Sequence, residues 1–152
     1  MKLTDEQNEG NRMWLESAGA VLTRENQFGF NWYAVPQEAI LEGKAPRMFA
    51  FSWKSPAQHL IGCSTEVPEE FRRYWAIHEF LEEPKDYKGR CVETLNEELE
   101  LVSSGMKRNY VPIRAEFFRG LVDFARANNY SQEQVEEFTL SRDRLNELEK
   151  GL

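Results

Sequence analysis

The apolar pattern turns helical near Thr65 and stays so to the end of the chain, and no other feature limits its fold so strongly. In the stretches just before that point residues alternate. In "RMFAFSWK", Met48, Ala50 and Ser52 project to one side and Phe49, Phe51 and Trp53 to the other, the two-residue period of a strand with one apolar face. "AVLTRE" and "FGFNWYAV" read as a strand pair closed by a turn at "NQ", and "HLIGCS" as a further short strand. From Thr65 onward the apolar residues recur at three and four, the period of a helix packed on one face. Strands grouped in the first half and helices in the second define an α+β fold. A small antiparallel or mixed sheet, from about residue 20 to 63, is packed against helices that dominate the rest.

Punctuation marks the helices. Thr4 and Gln7 have the spacing of a capping box and open a first helix reaching about Ala18, with Trp14, Leu15 and Ala18 as its buried side. "PQEAILEG", with proline at its entry and glycine at its exit, fits one short helix. Pro68 and Pro84 bracket the next, and a helix over 89–102 follows with Val92, Leu95, Leu99 and Val102 in register. Pro112 reads as the first turn of another, closed by Asn128 and Asn129, and Ser131 with Gln134 caps the last. Phe49, Phe51 and Trp53 are expected to pack beneath helices carrying Phe71, Trp75, Leu95, Phe117 and Leu121.

Length, charge and cysteine usage narrow the class. At 152 residues the chain is most simply one domain, 1–152, able to bury most of its apolar surface. A net charge of −7 opposes nucleic-acid and anionic-membrane partners, which need a basic surface. No apolar run approaches a membrane span and the N-terminus has no apolar signal segment, so a cytoplasmic location is expected. Cys63 and Cys91 form no CxxC pair, and in that compartment both are expected to be reduced thiols.

The segment "VPEEFRRYWAIHEFLEEP" holds most of the chemical information. Phe71, Tyr74, Trp75, His78, Leu81 and Glu82 fall on one helical face, so the aromatic residues draw His78 and Glu82 inward with them. Four residues apart, these two can share an ion or bond each other, and desolvation requires that they do one or the other. Glu79 lies about 100° round the helix, beside that face. "HEFLE" on a helix that follows strands resembles the active-site helix of the zincin metallopeptidases, whose pattern is HExxH. The resemblance implies zinc as cofactor, His78 as first ligand, Glu79 as the base that takes a proton from metal-bound water, and peptide hydrolysis as the activity. Glu82 stands where the family has its second histidine.

In the zincins that use a downstream glutamate, the third ligand comes from the following helix. Among Glu93, Glu97 and Glu98, Glu98 borders the Leu95, Leu99, Val102 stripe and is the choice here. A peptide substrate would lie along "HLIGCS" by strand addition. Two other readings stand beside this one. Cys63 with His59 or His78 could form a nucleophile–base pair, since His59 and Cys63 share one side of a strand. Alternatively His78 and Glu82 are a structural pair in an acidic, non-catalytic interaction domain, which would pack on a protein partner or on a second copy of itself through residues such as Phe138 and Leu148.

Overall fold

The computed structural model describes residues 2–152 and has the α+β organisation expected: a small mixed sheet in the first half and helices through the second. It resolves into two compact units, one running to Phe80 and the other covering Leu81–Leu152. Among the described residues no helix is long and apolar enough to cross a membrane.

In the first unit, α1 (Asp5–Ser17) starts at the predicted capping box: Thr4 Oγ1 accepts from Gln7 N at 3.1 Å and Gln7 Oε1 accepts from Thr4 N at 2.9 Å. Its buried residues are Leu15 and Asn8, whereas Trp14, expected inside, is 36% exposed. Asn8 can be buried because its amide has work there. It lies within hydrogen-bond reach of Trp53 O, Ser55 Oγ and Gln58 O, tying α1 to the turn after Trp53.

The strands β1 (Val21–Glu25), β2 (Phe30–Val35), β3 (Ala50–Lys54) and β4 (His59–Ser64) lie in the order β1-β2-β4-β3. The β1–β2 hairpin and the β3–β4 pair are antiparallel, and β2 runs parallel to β4. The strand "HLIGCS" is therefore central, paired on both sides, and not the open edge expected for strand addition. The edges are β1 and β3.

One face of the sheet supplies Tyr33, Val35, Phe51 and Leu60, which form a core cluster with Leu15 of α1 and Ile40; Phe49 and Trp53 pack against it. The aromatic face of β3 thus packs on α1, correcting the expectation that it lay beneath Phe71 and Trp75. The other face meets α2 (Arg72–Glu82): Trp75 Nε1 donates to Met48 O at 3.0 Å, and Phe80 stacks on Phe30 at 4.3 Å. Between β2 and β3, "QEAILEG" is not one helix. Gln37–Gly43 consists of tight 3-10 turns broken at Ile40, after which Leu41 (φ 49°) and Glu42 (φ 56°) are both left-handed.

The second unit holds the last two residues of α2 and the helices α3 (Arg90–Leu101), α4 (Ser104–Ala127) and α5 (Gln132–Lys150), with α5 packed on both α3 and α4. Helix α4 begins at Ser104, not near Pro112, which stands inside it. Proline is a start signal only as a bias, because its missing N–H costs nothing in a first turn; tertiary packing can override that preference. The end at Asn128 and Asn129 is as expected: Asn129 takes φ 57° and Tyr130 N returns to Ala125 O at 3.0 Å.

Candidate metal centre

Two of the candidate donors owe their place to α2. Pro68 leads into a 3-10 turn over Glu69–Phe71, and Arg72 anchors the helix start by donating to Val67 O and Thr65 O, both at 2.8 Å. With Phe71 and Trp75 turned inward, His78 follows them on the same stripe and is 5% exposed. Glu82, one turn on, is half-buried, as is Glu79. Pro84 removes a donor just past the end of α2, and Gly89 (φ 86°) reverses the chain into α3.

Cys91 is fixed from α5. Glu137, itself buried, accepts from Gly89 N at 2.7 Å and from Cys91 N at 3.1 Å, so a carboxylate satisfies the first amides of α3 where Gly89 has no side chain to do so. Ser141, one turn further along α5, donates its hydroxyl to Cys91 Sγ at 3.0 Å. The thiol of Cys91 is 4% exposed.

His78, Glu82 and Cys91 each offer a ligand atom, and these atoms all lie within 4.8 Å of one another. His78 and Glu82 are thereby brought together as their spacing predicts. The third member is Cys91, which the sequence reading treated only as a reduced thiol. Its signal is in the sequence, a soft donor in the first turn of the helix after "HEFLE", whereas the zincin pattern points to downstream glutamates.

Glu98 is fully buried, and the Arg114 that holds it also feels the charge of Cys91. Its carboxylate accepts from Arg114 Nε at 2.9 Å and from an Arg114 terminal nitrogen at 2.8 Å, and also from Tyr110 Oη. Burial works against the charge on Arg114, yet the adjacent Glu98 carboxylate outweighs it and holds the guanidinium pKa above its ordinary value. Glu97 pairs with Lys85, and Glu93, exposed, accepts from Tyr87 Oη at 2.6 Å, a bond that pushes the Tyr87 phenol up to about 12.

The residues of the cysteine–histidine alternative lie on β4. The Cys63 thiol is fully buried and points its Sγ to Ser64 O at 3.7 Å. His59 Nε2 lies 2.7 Å from Ser52 Oγ, and its ring stands 6.0 Å from that of Phe80.

Compared with known protein families, curated proteins and solved structures, the chain matches none.

Proposed function

We propose that this chain binds a divalent transition-metal ion, zinc by the chemistry of its donors, through His78, Glu82 and Cys91. The observation that carries the reading is the convergence of an imidazole nitrogen, a carboxylate oxygen and a thiol sulfur within 4.8 Å, with two of the three residues buried. In tetrahedral coordination with bonds of about 2.0–2.3 Å, donors stand roughly 3.5 Å apart, so side-chain adjustments of about 1 Å would close the three on an ion. Charge supports the same reading. A neutral imidazole, a carboxylate and a thiolate together cancel the two positive charges of the metal, which suits a site largely withdrawn from water. Ser141, donating to the sulfur, is a partner of the kind that orients a metal thiolate.

Three protein donors leave a fourth position for water, as in zinc hydrolases. Following the zincin resemblance, Glu79 would be the residue placed to accept a proton from water that the metal activates, and hydrolysis of a peptide is the chemistry such an ion would supply. A thiolate ligand gives the metal more electron density than a second histidine would, which favours a weaker Lewis acid and a slow hydrolase or a purely structural ion. The rival reading is a structural His78–Glu82 pair in a protein-interaction domain, favoured by the one-turn spacing of these residues and the burial of His78.

Cobalt substitution tests the proposal. The chain loaded with Co2+ is expected to take up one equivalent and show a thiolate-to-cobalt charge-transfer band in the near ultraviolet. Cys91→Ser should remove that band and His78→Ala should remove the bound metal, while Cys63→Ser should leave both. A chain that takes up no Zn2+ or Co2+ would establish the metal-free pair in its place.

A further inference from the structure

On the α1 side of the sheet a cleft of about 400 Å3 opens between α1, the 3-10 turns and β3, within the size range of small-molecule sites. Its walls are aromatic. Trp14 and Trp53 meet edge to face, with ring centroids 6.1 Å apart at 66°, and Phe51 and Phe49 continue the wall along β3. Among the described residues lining it, the only charged side chain is Glu42.

Two observations argue that this is more than a gap at the edge of the core. Trp14 is 36% exposed and Leu41 54% exposed, although both line an apolar cleft. The rim is also held in a backbone state that L-residues avoid: Leu41 (φ 49°, ψ 40°) and Glu42 (φ 56°, ψ 35°) are consecutive left-handed residues. Backbone strain of this kind persists only where surrounding structure imposes it, and it gathers at ligand sites. Glu42, the second of the two, lines the same cleft as Trp14 and Trp53.

We infer that this cleft binds a small organic cation bearing a quaternary or methylated ammonium group. The negative faces of aromatic rings attract such a cation, its methyl groups bury against them as apolar surface, and Glu42 supplies the opposite charge at the rim. A neutral apolar ligand would gain only the second of these effects. An anion would meet Glu42 and the ring faces unfavourably.

The experiment compares choline with 3,3-dimethylbutan-1-ol, its neutral isostere, on the full 15N-labelled chain, following the indole N–H resonances. Choline is expected to shift the Trp14 and Trp53 signals selectively, with a Kd of about 1 mM or tighter, and to bind about tenfold more strongly than the neutral isostere. Glu42 is exposed, so Glu42→Gln should fold normally, weaken choline several-fold and leave the isostere unchanged. Trp14→Leu, with its fold checked by circular dichroism, should weaken choline as well. Equal affinity for the two probes would overturn the inference by reducing the cleft to apolar surface. Absence of choline binding, or shifts located away from Trp14 and Trp53, would overturn it outright.

Discussion

Glu98 and Arg114 form a two-pronged ion pair in the interior of the second unit, their side chains 0% and 2% exposed and joined by bonds of 2.9 and 2.8 Å. Tyr110 adds a third donor to the carboxylate, and the guanidinium lies 4.9 Å from the Phe118 ring centroid. Every charge is answered, so the network tolerates burial. The energetic consequence is asymmetric. Glu98→Leu takes from a buried guanidinium the carboxylate that grips it twice and should lower stability by about 3–5 kcal/mol, whereas Glu98→Leu with Arg114→Met should recover most of that loss. Urea denaturation of the two single variants and the double variant measures the coupling. Additive losses would show that the pair does not act as a unit.

Gly62 sits opposite Phe51 in the β3–β4 register, and the Phe51 ring lies over it. A Cβ at position 62 would collide with that ring, both Cε atoms standing at 2.7 Å. Phe51 has little room to yield because Trp53 is 4.5 Å away. Gly62→Ala should therefore destabilise by about 1–3 kcal/mol. Phe51→Leu is expected to cost less in the Gly62→Ala background than in the wild type, which a thermal or chemical double-mutant cycle would reveal.

Glu25 links the hairpin to α2. It accepts from Arg73 Nε at 2.8 Å and from the amides of Gln27 and Phe28. Burial by itself raises its pKa, but Arg73 and the two amides prevail and hold it below the ordinary carboxylate value. A depressed folded pKa contributes stability that is complete above the unfolded pKa and lost as pH falls through the folded one. Glu25→Gln should cost about 1–3 kcal/mol near pH 7. The gap from wild type should narrow steadily as pH falls below about 4. Unfolding midpoints at neutral and acid pH provide the check, and a gap independent of pH would remove the ionic part of the argument.

Pro112 interrupts the hydrogen-bond ladder of α4, and restoring the missing N–H should strengthen the helix. Pro exceeds Ala by about 3 kcal/mol in cost within a helix interior, and loss of its rigidity in the unfolded chain returns roughly 1 kcal/mol. Pro112→Ala is expected to raise stability by about 2 kcal/mol, read from the denaturation midpoint. A neutral or destabilising result would mean that α4 is shaped around the proline.

Local signals predicted local structure well. Capping boxes at Thr4 and Ser131, the alternation in β3 and the asparagine exit of α4 all act within a few residues, and each forms as read. Contacts distant in sequence were not legible. Nothing in "HLIGCS" says that β4 lies between β2 and β3, because a strand buried on both sides and a short edge strand can share an apolar run. Asn8 looks like a surface residue until Trp53, Ser55 and Gln58 surround it. The same holds at the candidate site. The His78–Glu82 relation is a one-turn spacing within one helix, whereas the approach of Cys91 depends on where Gly89 turns the chain and on Glu137 and Ser141 holding the result.

Metal removal gives the last prediction. An ion that binds only the folded chain adds stability of RT ln(1 + [L]/Kd), about 2.7 kcal/mol when the free ion is at 100 times Kd. Zinc should therefore raise the unfolding midpoint of the wild type in a concentration-dependent way, and chelator should reverse the rise. His78→Ala and Cys91→Ser should lose the increment, and Glu82→Gln should reduce it by weakening one bond. Glu79→Gln should keep it in full, because the proposed base touches the metal's water and not the metal. Peptide hydrolysis, measured on the same set, should fail in Glu79→Gln while zinc binding persists. Loss of the zinc increment in Glu79→Gln would instead make Glu79 a ligand and end the proposed division of roles.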